Sequence, residues 1–237
     1  MKSFNLVVAT AAIAVSGAAM AGPSYTYADF GYTVGESEGR NNETEGLALR
    51  GSFGFAEVFH IGGGYADGDV NGGKKEYTEE FIGNNCPAIG DEIDFIRNCA
   101  GADASSYNLY FGFNPAMTEN IDLVARIGYS DSENKIVFEG DGIKVEETAI
   151  FLEIGPRAMV SEKLEINGAV SLFSGEEKLV VEDAGFSLKE DFTRVQYRVG
   201  GEYYFTPAIS LGLDASFANS GGSNANLHVR YSFGNNK

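Results

Sequence analysis

Acid, base and imidazole side chains recur along this chain at positions that share one strand parity: Asp29, Arg50, His60, Asp122, Arg126, Glu153, Glu165, Arg194, Arg198, Glu202, Asp214, His228 and Arg230. Carboxylates, guanidinium groups and imidazoles are the raw material of acid–base catalysis, anion binding and gated charge networks. Catalysis needs a nucleophile or water, a base and a carboxylate within hydrogen-bond reach of one another. The two histidines do not meet that condition, because His60 follows the tight turn Ala56-Glu57 and His228 lies inside the last strand. No G-x-S-x-G, H-E-x-x-H, phosphate-binding loop or dinucleotide fingerprint occurs. The expectation is a protein that is not an enzyme and needs no cofactor, with both imidazoles serving as internal hydrogen-bond partners.

What positions these side chains is alternation. Ala28, Phe30, Tyr32 and Val34 share one face, with Asp29 and Gly31 opposite; Leu47, Leu49, Gly51, Phe53 and Phe55 alternate with Ala48, Arg50, Ser52 and Gly54. The same period of two returns around 59–65, 106–113, 121–129, 148–154, 164–172, 195–205, 209–217 and 227–233. That is ten strands, with helical periodicity nowhere sustained. Gly at 31 of 237 residues and Pro at 5 agree with an all-β chain. The chain carries 34 Asp and Glu against 17 Lys and Arg, which excludes a basic nucleic-acid binder.

The connections alternate in length. Long polar stretches fall near 35–45, 67–104, 131–147, 174–191 and 218–224; short ones are Ala56-Glu57, 114–120, 156–163 and Thr206-Pro207. An even number of roughly ten-residue strands with long and short connections in turn is the plan of an antiparallel up-and-down transmembrane β-barrel, with ten strands favoured over eight and both termini on the short-turn, periplasmic side. In such a barrel the apolar face meets lipid and the charged face lines the lumen, closure being required because lipid satisfies no sheet edge. Aromatics fall at both ends of the apolar face, Tyr32, Tyr65, Tyr107, Tyr129 and Phe217 at one and Phe55, Phe59, Phe113, Tyr203, Phe205 and Phe233 at the other. Strand adjacency predicts Asp29 beside Arg50 and Arg230, Arg126 beside Glu153, and Arg198 beside Asp214.

Residues 1–21 read as a secretory signal, with Lys2, the apolar run Leu6 to Val15 and Ala19-Met20-Ala21 as the cleavage site, leaving a barrel domain of 22–237. The long connections 35–45, 67–104, 131–147 and 174–191 carry −3, −6, −4 and −4, nearly all the net charge. They form an acidic crown with divalent-cation candidates at Asp67 and Asp69 and at Glu139 and Asp141, none of which completes a twelve-residue calcium loop. Cys86 and Cys99 share one connection, and in an exported chain an even pair predicts a disulfide, contributing about 3 kcal/mol in the chain-entropy picture.

Ser24-Tyr25-Thr26-Tyr27, Gly31-Tyr32 and the hairpin 47–65, taken with the strand plan, resemble the small proteobacterial outer-membrane barrels, the class that includes the OmpA transmembrane domain and OmpW-like proteins. The last strand, Asn226 to Phe233, resembles the terminal signal read by the barrel-assembly machinery, here followed by four further residues. The resemblance implies a Gram-negative outer membrane, with lipid and lipopolysaccharide as neighbours. Three roles stand in order: a structural or surface-interaction barrel acting through its acidic loops, a small gated channel whose gate is the lumenal charge network, and, last, an outer-membrane enzyme.

Overall fold

The computed structural model describes residues 25–36, 43–70, 76–77, 102–138, 141–181 and 186–233. The strands are β1 (Tyr27–Glu36), β2 (Glu43–Phe55), β3 (Phe59–Val70), β4 (Glu76–Tyr77), β5 (Ala102–Phe113), β6 (Ile121–Phe138), β7 (Asp141–Ser161), β8 (Leu164–Val181), β9 (Phe186–Tyr204), β10 (Ile209–Ala218) and β11 (Ser223–Ser232). All but β4 form a closed antiparallel ring in the order β6-β5-β3-β2-β1-β11-β10-β9-β8-β7, closed by β6 on β7. β4 is a two-residue strand laid parallel along β6, Glu76 opposite Val137 and Tyr77 opposite Phe138. The ten expected strands are the ten of the ring. The proposed signal 1–21 and the pair Cys86 and Cys99 lie outside the described residues.

Register follows from parity, since a slip of one residue would turn every side chain to the wrong face. Asp29 stands opposite Arg50 on β2 and Arg230 on β11, so one carboxylate meets a guanidinium from either side. The short end is tightened in the three-residue connection between Phe55 and Phe59, where Ala56 and Glu57 both take positive φ (49° and 63°).

The wall is not level. β1 and β2 end at the pair Glu36–Glu43, and β10 and β11 at Phe217–Ser223. β6 through β9 run on, paired as Phe138–Asp141, Ile143–Val181 and Val181–Phe186. The stretches 131–147 and 174–191, expected as loops, are therefore mostly strand, and the expected loop 67–104 gives its first residues, to Val70, to β3 and its last, from Ala102, to β5, and it contains β4. The charges on these extensions gave them a loop's composition, but cross-strand pairs such as Lys178 with Glu146 (3.5 Å) and Lys189 with Glu176 (3.0 Å) are compatible with a solvated sheet. The short connection expected at 156–163 is also smaller. β7 continues to Ser161, with a register shift between Met159 and Ser161, so Arg157 belongs to the wall. Pro156 suggested a strand end, but it projects outward and sits where no β8 residue is paired to it.

Candidate functional site: the lumen and the raised sheet

Outward positions around the ring are large and apolar, among them Phe30, Leu49, Leu109, Ile127, Leu152, Val199, Leu213 and Val229. Leu109 is 62% exposed and Leu213 58%, values no water-facing sheet would repeat strand after strand. Rings edge this band at the short-turn end, Phe59 against Phe113 (centroids 5.3 Å), Tyr203 against Phe205 (5.3 Å) and Tyr231 against Phe233 (4.8 Å). At the other end Tyr32, Tyr65 and Tyr129 turn their hydroxyls away from the band, onto Glu45, Asp67 and Asp131. On β9 the band runs from Tyr197 to Phe205, about 20 Å high at the usual strand rise and tilt.

The lumen is the inverse. Its base is set by Tyr25, whose hydroxyl donates to Asp122 (3.0 Å) and whose ring stacks on His60 (4.9 Å). His60 Nδ1 bonds Asn114 (2.9 Å), and Arg126 Nε donates to its Nε2 (3.4 Å), which fixes the neutral tautomer with the proton on Nδ1. Arg157 lies over the Tyr25 ring (4.5 Å) and grips Glu165 through two nitrogens (2.8 and 2.9 Å). Tyr204 adds a third donor to that carboxylate (2.8 Å).

Above the base the pairs link into chains. Glu153 takes Arg126 (2.7 Å) and Arg198 (2.9 Å) on one oxygen and the Ser171 hydroxyl on the other. Asp29 takes Arg50 (2.7 Å) and Arg230 (3.3 Å); Arg230 continues to Glu202 (3.3 Å), which also holds His228 (3.0 Å) and Ser210 (2.6 Å). Arg50 reaches on to Asp214 (3.1 Å) and Asn226 (3.2 Å). Five arginines thus face six carboxylates across the bore, drawn from every strand of the ring except β3 and β5. A cavity of about 50 Å³, room for one or two waters, lies among Arg50, Arg126, Glu153, Arg157, Arg198 and Arg230.

Inward glycines make this filling possible. Gly112 lies opposite His60 and Gly212 opposite His228, and a Cβ on either would run into the imidazole. The same holds for Gly200 beside Asp214 and Gly62 beside the Tyr110 ring.

Of the expected lumenal residues, Asp29, Arg50, Asp122, Arg126, Glu153, Glu165, Arg198, Glu202, Asp214 and Arg230 share the bore, and three of the four anticipated pairings form. Arg198 with Asp214 does not. Asp214 stands opposite Gly200 and turns to Arg50, leaving Arg198 to cross to Glu153. Arg194 lies higher, bonded to Glu147 (2.5 Å) in the raised sheet rather than in the bore. Arg157 was missed because Pro156 masked its strand; the alternation Glu153, Gly155, Arg157 was the signal for it. Asp67 and Asp69 lie on the outer face of β3, and no three acidic, His or Cys side chains converge on a point among the described residues. Glu139 lies outside the described residues, as does the side chain of Asp141.

Where β6 to β9 rise past the low wall, the two faces exchange character without any change of parity. On β7 the outward series Ile154, Leu152, Ile150 gives way to Thr148, Glu146 and Lys144, while the inward series Arg157, Glu153 passes through Glu147, the partner of Arg194, to Val145 and Ile143. Leu179 and Val181 on β8 and Leu188 and Phe186 on β9 join that inner face near the tip, with Glu177 and Glu190 below them. The outward face stops being apolar at one level on all four strands, which marks the edge of the hydrocarbon. An apolar belt outside and ion pairs inside decide the class.

This is a transmembrane β-barrel of the outer-membrane type. No family model matches the chain, and no curated protein does. Solved barrels resemble it in shape: the outer membrane protease OmpT of Escherichia coli (12% identity, TM-score 0.49, 88% of this chain and 96% of that one) and the translocator domain of the autotransporter NalP of Neisseria meningitidis (13%, 0.47, 88% and 88%). The attachment invasion locus protein Ail of Yersinia pestis aligns at 11% identity and TM-score 0.36, over 87% of this chain and 95% of that one.

Proposed function

We propose that this chain is a closed outer-membrane barrel of a Gram-negative cell whose work is done at the cell surface, by the raised sheet of β6 to β9 and the acidic segments around it. The observation that carries this reading is the set of ion pairs that cross the bore from both walls, with a cavity of about 50 Å³ among them. A hydrated ion or solute does not pass through that space unless several charge-assisted bonds break together. The raised sheet, with a charged outer face and an inner face that turns apolar toward the tip, is the largest feature standing clear of the belt among the described residues. In this reading the termini are periplasmic, the signal 1–21 is removed, and the outward-facing Val229, Tyr231 and Phe233 present the terminal strand to the assembly machinery. Lipid and the outer-leaflet lipopolysaccharide surround the belt, and divalent cations are partners only of the acidic rim. The chain is not an enzyme here, since each lumenal imidazole is already held by Asn114 or Glu202.

The test is conductance of the refolded protein in planar bilayers, beside Glu153→Ala, which frees Arg126 and Arg198 together. Silence from the wild type with openings in the variant supports a plug. Steady conductance from the wild type would make the lumen a channel and overturn the reading.

A further inference from the structure

The raised sheet has two edges, and the chain treats them differently. On the β6 side β4 is laid against the tip. On the β9 side β10 pairs only as far as Ala218 opposite Gln196, and Asn219 finishes the ladder by bonding the N–H and C=O of Val195 (both 2.9 Å). Since Val195 turns both groups toward β10, so do the residues of like parity above it, Thr193, Asp191, Lys189 and Ser187. Their mates Arg194 to Phe186 face β8, to which β9 is paired without a break up to Val181 opposite Phe186. Eight backbone groups along Ser187 to Thr193 thus have no partner among the described residues, and all four residues are exposed. An unpaired edge of this length is a template for another strand.

The side chains of this edge are complementary to themselves. A second β9 laid antiparallel about a twofold axis at Glu190 would put Lys189 opposite Asp191 on the charged face and Ser187 opposite Thr193 beside it. On the inner face Leu188 would meet Phe192, and Phe186 would meet Arg194, a guanidinium that already rests over an aromatic ring within its own chain (Phe192, 4.8 Å). All four residues with free backbone groups fall in hydrogen-bonded pairs, so eight ladder bonds form. Shifting the axis by one residue either way sets Lys189 against Lys189 or Asp191 against Asp191 in non-complementary surroundings, or turns the apolar face of one copy onto the charged face of the other. Only Glu190, on the axis, meets its like.

We infer that the β9 edge from Phe186 to Arg194 is a self-association site, where a second copy of this chain adds its own β9 antiparallel. The inference rests on the surface role proposed above and names its partner. In every copy β9 runs from the raised end toward the short-turn end, so antiparallel pairing requires two barrels pointing in opposite directions. The contact therefore joins two apposed membranes and not neighbours within one.

The experiment uses the full mature chain in detergent, followed by sedimentation equilibrium, and the same protein in two populations of phospholipid vesicles, followed by turbidity. Folding of each variant is checked by heat-modifiable gel mobility, and conductance is recorded on the same preparations. The wild type should dimerise and cluster vesicles. Lys189→Asp and Asp191→Lys, each setting like charges opposite one another, should weaken dimerisation about tenfold, and the double exchange should restore it. Thr193→Pro, which removes a free N–H and no bond to β8, should also weaken it, whereas Glu190→Gln should strengthen it. A folded wild type that stays monomeric to about 100 μM and leaves vesicles dispersed overturns the inference, as does a dimer indifferent to Thr193→Pro and to the charge exchange. A silent monomer removes this inference alone; an open channel removes the surface role itself.

Discussion

Replacing Arg157 by Met isolates the energetics of the plug. Its guanidinium side chain is 7% exposed and that of Glu165 1%, and the two share bonds of 2.8 and 2.9 Å. The variant leaves the carboxylate with the Tyr204 hydroxyl as its remaining side-chain donor, in a place with almost no water. Removing one member of a buried pair typically costs about 3–5 kcal/mol, because the survivor keeps its desolvation without its counter-charge. Adding Glu165→Gln removes that charge and keeps an oxygen for Tyr204, so the double variant should return to within about 1–2 kcal/mol of the wild type. For comparison, Lys135→Ala at the exposed pair with Glu133 (45% and 27% exposed) should cost less than about 1 kcal/mol. The assay is urea unfolding in lipid vesicles read by tyrosine fluorescence, the chain having 12 Tyr and no Trp. A single variant that loses under 1 kcal/mol, or a double variant that loses as much as the single, would refute the account of the bore as a set of paired, desolvated charges.

Leu213→Arg, near the middle of the apolar belt, should cost about 2–4 kcal/mol in the same unfolding assay, while Ser106→Arg, facing a cavity of about 220 Å³ at the mouth, should cost less; equal losses would contradict the inside–outside assignment. Gly112→Ala should destabilise by about 1–3 kcal/mol through the His60 ring, and a double-mutant cycle with His60→Ala should show most of that loss as coupling between the two sites. Cys86 and Cys99 are expected to be joined in the exported protein, so a maleimide should label the native chain only after reduction, and ready labelling without a reductant would count against the disulfide.

Alternation carried most of the architecture into view. Because side chains on a strand repeat every two residues, Phe30 and Asp29, or Leu213 and Asp214, already declare opposite surroundings, and ten such runs with connections of alternating length leave few closed arrangements. The pairs of Asp29 with Arg50 and Arg230 were legible for the same reason, since adjacent hairpin strands and the closure of first on last fix which residues face each other. Arg198 was misassigned because strand adjacency alone leaves the register open by two residues, Ser216 and not Asp214 standing opposite it, and a bore lets a long side chain cross to a strand that is not its neighbour. The raised sheet was hidden by its composition: a solvated sheet with charges such as Glu146 and Lys178 looks like a loop until its partners are known.

The sequence alone determined that the chain is a strand-built barrel with an apolar outside and a charged inside, because those are local properties of each strand's two faces. Only the tertiary structure decided that ion pairs from opposite walls cross the bore and that the upper edge of β9 has no strand partner among the described residues. Both depend on distances across the ring and on where each ladder stops, and a one-dimensional pattern of polar and apolar residues encodes neither.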